Sequence, residues 1–523
     1  MMTTALQQAL ALHQTGRLDE AELAYRAVLQ AEPRNFNALH LLGVLRHQQG
    51  QTAEAVELIR AALLLDGRVA DAHGNLGNAL RALGRLGEAE ASYRAALALV
   101  PDQAELHFGF GHVLRGLGRY DEAVAHYQHA SRLRPDLPEA AIQLCNDLAG
   151  QGQVEAAERL LGAMVARSPG DAGAWINLAI LEQQAGRFGE ALDGYRKAQV
   201  AAPDLALAHY NEALVLLLTG DLARGWEKYE WRWRVPGFVT APPRLFRPRW
   251  TGAALGTSTL LLHSEQGFGD TIQFCRYASL AAERARVVLS VQKPLKRLLA
   301  GLAGVASVID PDAAAPAFEQ HCPLLSLPHV FGTTIGTIPA PIPYLAAEPT
   351  LVAAWARRLP PARCRIGIAW QGNPQASFDR ARSVPLDCFK ALAELPGVAL
   401  ISLQKGGEIG SNEAELPVTS LGPDLDGGPD AFVDTAAVMM SLDLIIAPDT
   451  AVAHLAGALG RPAWLALSRV PTWRWLLDRD DSPWYPSLRL FRQREAGDWA
   501  EVFQRMAAAL PDFIAAQPKT RPA

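Results

Sequence analysis

Residues 445–467 read IIAPDTAVAHLAGALGRPAWLAL, and their pattern decides the architecture of the C-terminal half. An apolar run over 444–447 stops at Pro448-Asp449-Thr450. An Ala-rich segment with helical spacing then runs from 451 to 459, Gly460 ends it, and a second apolar run fills 463–467. The order is strand, loop, helix, stop and strand. A strand that turns at once into a helix leaves free N–H groups and a positive dipole at its carboxyl end, which suits a phosphate or another anion. In an open α/β sheet, ligands bind at that edge. The sequence leaves a second reading open, in which Asp449 and Thr450 only cap a structural helix.

Working outward, strand-like 259–263 leads through Ser264-Glu265-Gln266-Gly267-Phe268-Gly269-Asp270 into helix-like 271–283. Strand 287–291, helix 293–302 and strand 306–309 follow, and a Pro-rich stretch interrupts at 339–349. The alternation restarts with strand 364–370, helix 386–395, strand 399–403 and helix 434–441. Strand–helix alternation predicts parallel sheets. The break predicts two of them, with a cleft between.

Four polar groups stand at carboxyl ends of strands of the second sheet. They are Gln371-Gly372-Asn373-Pro374, Asp379-Arg380-Ala381-Arg382-Ser383, Gln404-Lys405-Gly406-Gly407, and Asp449-Thr450 with His454. Arg and Lys beside helix N-terminal amides suit a pyrophosphate. Any one of them alone reads as a solvated surface charge; their convergence favours a site. In the first sheet, Gly267 and Gly269 let the backbone bend sharply, and Asp270 opens the helix that follows. Asp270 is either a general base for an acceptor hydroxyl or an N-cap carboxylate. The turn is not G-x-G-x-x-G and no Walker pattern occurs, so dinucleotide and P-loop readings are weak. No D-x-D triplet follows an expected strand, and the Asp478–Asp481 run reads as a helix end. Trp473, Trp475, Trp484 and Tyr485 either line the cleft or pack the C-terminal segment across the domains.

Residues 1–235 have a different organisation, a repeat of period 34. Glycine recurs at Gly16, Gly50, Gly84, Gly118, Gly152, Gly186 and Gly220. Five residues later stands Ala21, Ala55, Ala89, Ala123, Ala157 or Ala191, with Gly225 in the seventh unit. Nine residues after the glycine comes Tyr25, Ile59, Tyr93, Tyr127, Leu161, Tyr195 or Tyr229. Pro33, Pro101, Pro135, Pro169 and Pro203 recur later, with Gly67 in their series. The physics is that of a helix–turn–helix unit. Glycine ends the first helix, the small residue admits the second, the aromatic fills the space between them, and proline ends the pair. The seventh unit is loaded with Trp226, Trp231 and Trp233, which predicts burial against the following domain. Residues 236–258, rich in Pro, Gly and Arg, read as a linker, 259–350 and 351–495 as the two α/β domains, and 496–523 as a closing helix and tail.

The chain has 523 residues, 49% of them hydrophobic and 20% charged, with a net charge of -5. That balance offers no general attraction to nucleic acid. Its five cysteines are scattered without metal-type spacing, as in a reduced cytoplasmic chain. No basic n-region precedes the first apolar residues, and no uncharged run reaches the roughly 18 to 20 residues of a membrane span.

The 34-residue pattern resembles the tetratricopeptide repeat, whose arrays stack into a superhelix with a concave face for peptides or proteins. The alternative is a scaffold that only holds the rest of the chain, or a dimer of it; homo-oligomerisation stays open. Residues 259–495 resemble a two-domain GT-B glycosyltransferase of the heptosyltransferase-related type. The resemblance rests on GFGD at 267–270, GIAWQGN at 367–373, RSVPL at 382–386, SLQK at 402–405, APDTAVAHL at 447–455 and WRWLLDR at 473–479. It implies Asp270 as catalytic base. It also implies that Asp449, Thr450, the Ala451 amide and His454 hold the phosphates and sugar of a nucleotide-sugar co-substrate. Arg382 matches the family's basic residue, with Arg380 as the other candidate. Repeats joined to such a pair are similar to O-linked N-acetylglucosaminyltransferases and flagellin glycosyltransferases. The expectation is therefore an inverting, metal-independent glycosyltransferase acting on a protein Ser or Thr, with no cofactor. Gln371, Arg382, Gln404 and Lys405 would border the donor. Two alternatives remain: a glycan or lipid-linked acceptor, and a non-catalytic adaptor.

Overall fold

The computed structural model describes residues 4–134, 138–150, 152–238, 246–313, 316–339, 341–372, 382–405 and 416–517. Pro135 of the proline series, part of the expected linker and the last residues of the tail lie outside them.

The repeat is a series of antiparallel helix pairs, from Thr4–Gln14 with Leu18–Ala31 to Ala206–Leu218 with Leu222–Tyr229. Its punctuation is the same each time. All seven turn glycines have positive φ, from +73° at Gly84 to +89° at Gly220. At Gly50 the glycine N–H bonds to the His47 carbonyl (3.0 Å) and the next N–H, of Gln51, to the Arg46 carbonyl (2.8 Å). This is the Schellman stop, which needs a residue that tolerates the left-handed region. The alanines five residues on and Tyr25, Tyr93, Tyr127 and Tyr195 are buried. Each of these hydroxyls finds a partner nearby, as Tyr93 does by donating to Asn78 Oδ1 at 2.8 Å.

Contacts divide the chain into two compact units, Met1–Leu181 and Glu182–Ala523. The division falls inside the array, within the helix Ala172–Gln184. The last repeats therefore belong to the same unit as the α/β region, and the reason lies in the seventh repeat. Trp226 is buried, donates its indole N–H to the Thr333 carbonyl (3.2 Å) and meets Trp473 edge-on at 5.2 Å. Arg232 is fully buried and forks onto both oxygens of Glu265 at 2.9 and 2.8 Å, with a third bond to Ser326. Trp231 instead stacks on His209 of its own repeat, at 3.8 Å. In the described part of the linker, Trp250 is buried and its backbone N–H donates to the His321 carbonyl at 2.8 Å.

The α/β region holds two sheets, parallel throughout. The first comprises β1 (Thr259–His263), β2 (Arg286–Ser290), β3 (Val305–Ile309) and β4 (Gln320–Pro323), in the order β3-β2-β1-β4. The second comprises β5 (Cys364–Ile368), β6 (Val398–Ser402), β7 (Val418–Thr419), β8 (Leu444–Pro448), β9 (Ala463–Leu467) and β10 (Leu488–Arg492). Its order is β10-β9-β8-β5-β6-β7. Both run outward in opposite directions from their first strand, the doubly wound arrangement whose switch point lies between that strand and the one opening the return. β1, β8 and β9 are buried along their whole length, as parallel strands covered on both faces must be.

Three strands were not foreseen. β4 is four residues opening on Gln-His, β7 is two residues, and β10 alternates Leu-Arg-Leu-Phe-Arg at an edge. The helix expected over 271–283 starts earlier and breaks, giving Phe268–Phe274 and Tyr277–Ala282. The Asp478–Asp481 run is not a helix end. Asp478 has φ +51°, Arg479 pairs with Asp481, and Asp481 bridges to Arg489 of β10. Among the described residues no helix is long and apolar enough to cross a membrane.

Candidate functional site

The first turn and the opening stretch come together. After β1 the chain bends through Gln266 (φ +60°) to Gly267, which caps the helix Phe268–Phe274. Asp270 is the third residue of that helix rather than its cap. Its Oδ2 accepts the Gly267 N–H at 3.0 Å, and its Oδ1 forms an ion pair with Arg474. After β8, Asp449 is followed by Thr450 in extended conformation, and the helix Ala451–Ala458 begins without a side-chain cap. The Ala453 and His454 amides bond to the Thr450 carbonyl (3.0 and 3.4 Å), and among the described residues no side chain caps the Ala451 and Val452 amides. Gly269 lies against this helix, where an added Cβ would come within 3.0 Å of His454 Cδ2 and 3.4 Å of Ala451 Cα. A side chain at this position would crowd His454, so glycine suits the close approach of the two turns.

Asp449 is the hub of the second turn. Thr472 donates to its Oδ2 at 2.7 Å, Arg382 Nη1 stands 3.5 Å from the same oxygen, and His454 Nε2 is 3.9 Å from Oδ1. Burial alone would push its carboxyl up, but Arg382, Arg474 and the Thr472 hydroxyl outweigh that and hold it below the usual carboxylate range. His454 is buried against Trp475, with ring centroids 5.4 Å apart, and burial depresses its pKa to about 3. It is therefore neutral at ordinary pH and adds no charge to Asp449. His454 Nδ1 and the Tyr485 hydroxyl are hydrogen-bonded at 3.0 Å, and Nε2 faces Asp449. Beside this cluster, at the carboxyl ends of β8 and β9, is a cavity of about 10 Å³ lined by Arg382, Asp449, Leu467, Ser468, Pro471 and Thr472. It is large enough for one water.

Arg474 links the two turns. It lies in the short helix Trp473–Trp475, its Nη2 on Asp270, its Nε donating to Gln273 at 2.9 Å and its guanidinium 4.4 Å over the Trp473 ring. Burial alone would favour loss of its charge; Asp270 beside it keeps it protonated. The same neighbourhood holds Tyr229 of the seventh repeat, whose hydroxyl accepts from Gln266 at 3.1 Å.

The remaining expected residues serve the loops. Gln404 Oε1 accepts from the backbone N–H of Trp370 and of Gln371, both at 3.2 Å, tying the ends of β5 and β6. Lys405 donates to the Asp426 carbonyl at 2.5 Å. Among the described residues, neither Gln404 nor Lys405 bonds to Arg382, Asp449, Thr450 or His454. Asn373, Pro374, Asp379, Arg380, Ala381, Gly406 and Gly407 lie outside the described residues. Sequence reasoning did not assign Arg474 or Thr472 to the site, and it named Tyr485 only as a residue that lines the cleft or packs the C-terminal segment. Arg474 carried the one available signal, a cation between two tryptophans in a loop after a buried strand. Trp473, Trp475, Trp484 and Tyr485 are all buried, which is the packing alternative.

Tetratricopeptide-repeat models match residues 6–73, 68–136 and 148–214. These stretches are tetratricopeptide repeats. Solved structures similar to the repeats include YrrB, described as a TPR protein with an unusual peptide-binding site. It is 24% identical, covers 36% of this chain and 98% of its own, and has a TM-score of 0.31. PilW, described as a widely conserved type IV pilus biogenesis factor, is 26% identical over 37% of this chain and 90% of its own, with a TM-score of 0.34. The chain is also similar to protein FlbA of Caulobacter vibrioides, 30% identical over 343 residues, which is 60% of this chain and 56% of that protein. The chain thus spans about half the length of this curated relative. Sixty per cent of this chain is more than residues 1–235 can supply, so the similarity continues from the repeats into the α/β region.

Proposed function

We propose that residues 259–495 form a glycosyltransferase of the two-domain GT-B type, acting on a protein hydroxyl presented by the repeats. The observation that carries this reading is the meeting of the Asp270 turn with the Asp449–His454 loop at the carboxyl ends of two doubly wound sheets. One turn offers a carboxylate; the other offers uncapped helix amides beside Arg382. In the proposed reaction the diphosphate of a nucleotide sugar lies at Thr450 and Ala451, with Arg382 as counter-charge. Gln371 and Gln404 shape the loops around it, and Lys405 stands at their edge. Asp270 takes the acceptor hydroxyl proton, the oxygen bonds to the anomeric carbon with inversion, and the carbon–oxygen bond to the diphosphate breaks. Each Asp270 oxygen keeps a lone pair beyond its present partner for that task. Asp449, held ionised, orients Arg382 and His454 rather than accepting a proton.

The test is purified full-length chain with a panel of UDP-, GDP-, ADP- and dTDP-sugars, scored for transfer to protein and for donor hydrolysis. Turnover that disappears in Asp270→Ala supports the reading; turnover retained in that variant removes Asp270 from the role of base. The adaptor reading draws on the ion pair that already occupies Asp270, and it expects no turnover of any donor by the unaltered protein. Removing residues 1–181 separates the acceptor classes: a protein acceptor is lost while donor hydrolysis stays, whereas a glycan or lipid acceptor is used as before.

A further inference from the structure

Arg474 stands at the meeting point of the two turns and engages only one of them fully. Its Nη2 and Nε are spent on Asp270 and Gln273, while among the described residues its Nη1 forms no hydrogen bond. It follows Thr472, the residue that holds Asp449, by two positions. Its charge is felt by Asp449 and His454 as well as by Asp270. The guanidinium lies 4.4 Å over the Trp473 ring, a support that fixes its plane while its hydrogen-bonding edge can exchange partners. A planar five-donor cation at this place fits a diphosphate better than it fits one carboxylate oxygen.

We propose that Arg474 is a positioning residue that makes donor binding a condition for acceptor activation. This rests on the glycosyltransferase reading and adds to it a partner exchange. Without donor, Arg474 is the counter-ion of Asp270 and covers the carboxylate. The incoming diphosphate, brought to the Ala451 amides, draws Arg474 toward itself and uncovers Asp270 for the acceptor hydroxyl. The order of binding is then donor first. The carboxylate and the diphosphate compete for one cation, so removing the carboxylate's charge strengthens diphosphate binding.

The measurement is calorimetric titration of the full-length protein with UDP, GDP, CDP, ADP and dTDP, comparing wild type with Asp270→Asn, Arg474→Lys, Arg474→Gln and the double variant Asp270→Asn/Arg474→Gln. Asp270→Asn is expected to tighten the diphosphate that binds by about tenfold, and Arg474→Gln to weaken it by about tenfold or more, the scale of a close charge pair. Arg474→Lys keeps the charge and falls between. The double variant binds as weakly as Arg474→Gln alone, because the carboxylate acts only through the arginine. A purely structural role for the pair predicts that every variant weakens binding in step with its loss of melting temperature. If Asp270→Asn binds the diphosphate no better than wild type, the exchange is wrong while the donor-site reading stands. If wild type binds none of the five, both fall together. Should Arg474→Gln fail to fold, the near-isosteric Asp270→Asn decides the question alone.

Discussion

Asp270 and His454 sit on facing turns and ask for different experiments. Asp270→Asn keeps the shape of the side chain and the acceptor for the Gly267 N–H while removing the charge. It is expected to lower kcat by about 10²- to 10⁴-fold, the worth of a positioned base, with an unchanged circular dichroism spectrum. His454 is expected to show in stability. Its pKa is about 3 when folded and about 6.5 when unfolded. Below pH 6.5 the unfolded chain binds a proton that the folded chain refuses. Its contribution is therefore complete above 6.5 and is lost as pH falls toward 3, with a slope of up to about 1.4 kcal/mol per pH unit. His263, also held near 3 by burial, adds in the same direction. Melting followed from pH 7.5 to 5 should fall steeply for wild type and less steeply for His454→Phe. Asp270, Asp449 and His454 were legible in the sequence because each sits at a fixed offset from the end of an apolar strand. Arg474 and Thr472 were not, because they reach the site from loops through tertiary packing that no local period encodes; for Tyr485 the sequence left cleft lining and packing both open.

The elements divide along a similar line. The central strands β1, β8 and β9 are largely apolar runs buried on both faces and stand out from any neighbour, and β5 is buried except at Arg365. The ones that escaped, β4, β7 and β10, are short or lie at sheet edges, where polar residues interrupt the run. The helix pairs were legible throughout because the turn glycine is required sterically at every repeat. Gly84→Ala, at φ +73°, is expected to cost about 1 kcal/mol, from forcing a Cβ into the left-handed region. An equilibrium urea titration of residues 1–181 would read it as a lower midpoint with an unchanged slope. An unaltered midpoint would mean that the turn relaxes out of its left-handed form.

For the whole molecule, contacts divide the chain after Leu181, inside the repeat array. A fragment starting at Glu182 should be soluble and fold alone. One starting at 236 loses Trp226 and Arg232, and should expose the Trp473, Trp484 and Phe274 cluster that Trp226 covers and aggregate. Dye binding and size-exclusion chromatography of the two fragments distinguish them. Arg232→Ala in the full chain strands Glu265 as an unpaired buried charge. It should cost about 3–5 kcal/mol in chemical denaturation of the second unit.

The division within the helix Ala172–Gln184 also bears on how such a chain can diversify. Repeats upstream of that point can be duplicated, lost or recombined without touching the core that holds Asp270 and Asp449. The second helix of the sixth repeat and the whole seventh repeat stay with the α/β region. A chimera joined at this helix should fold as two intact units, one from each parent.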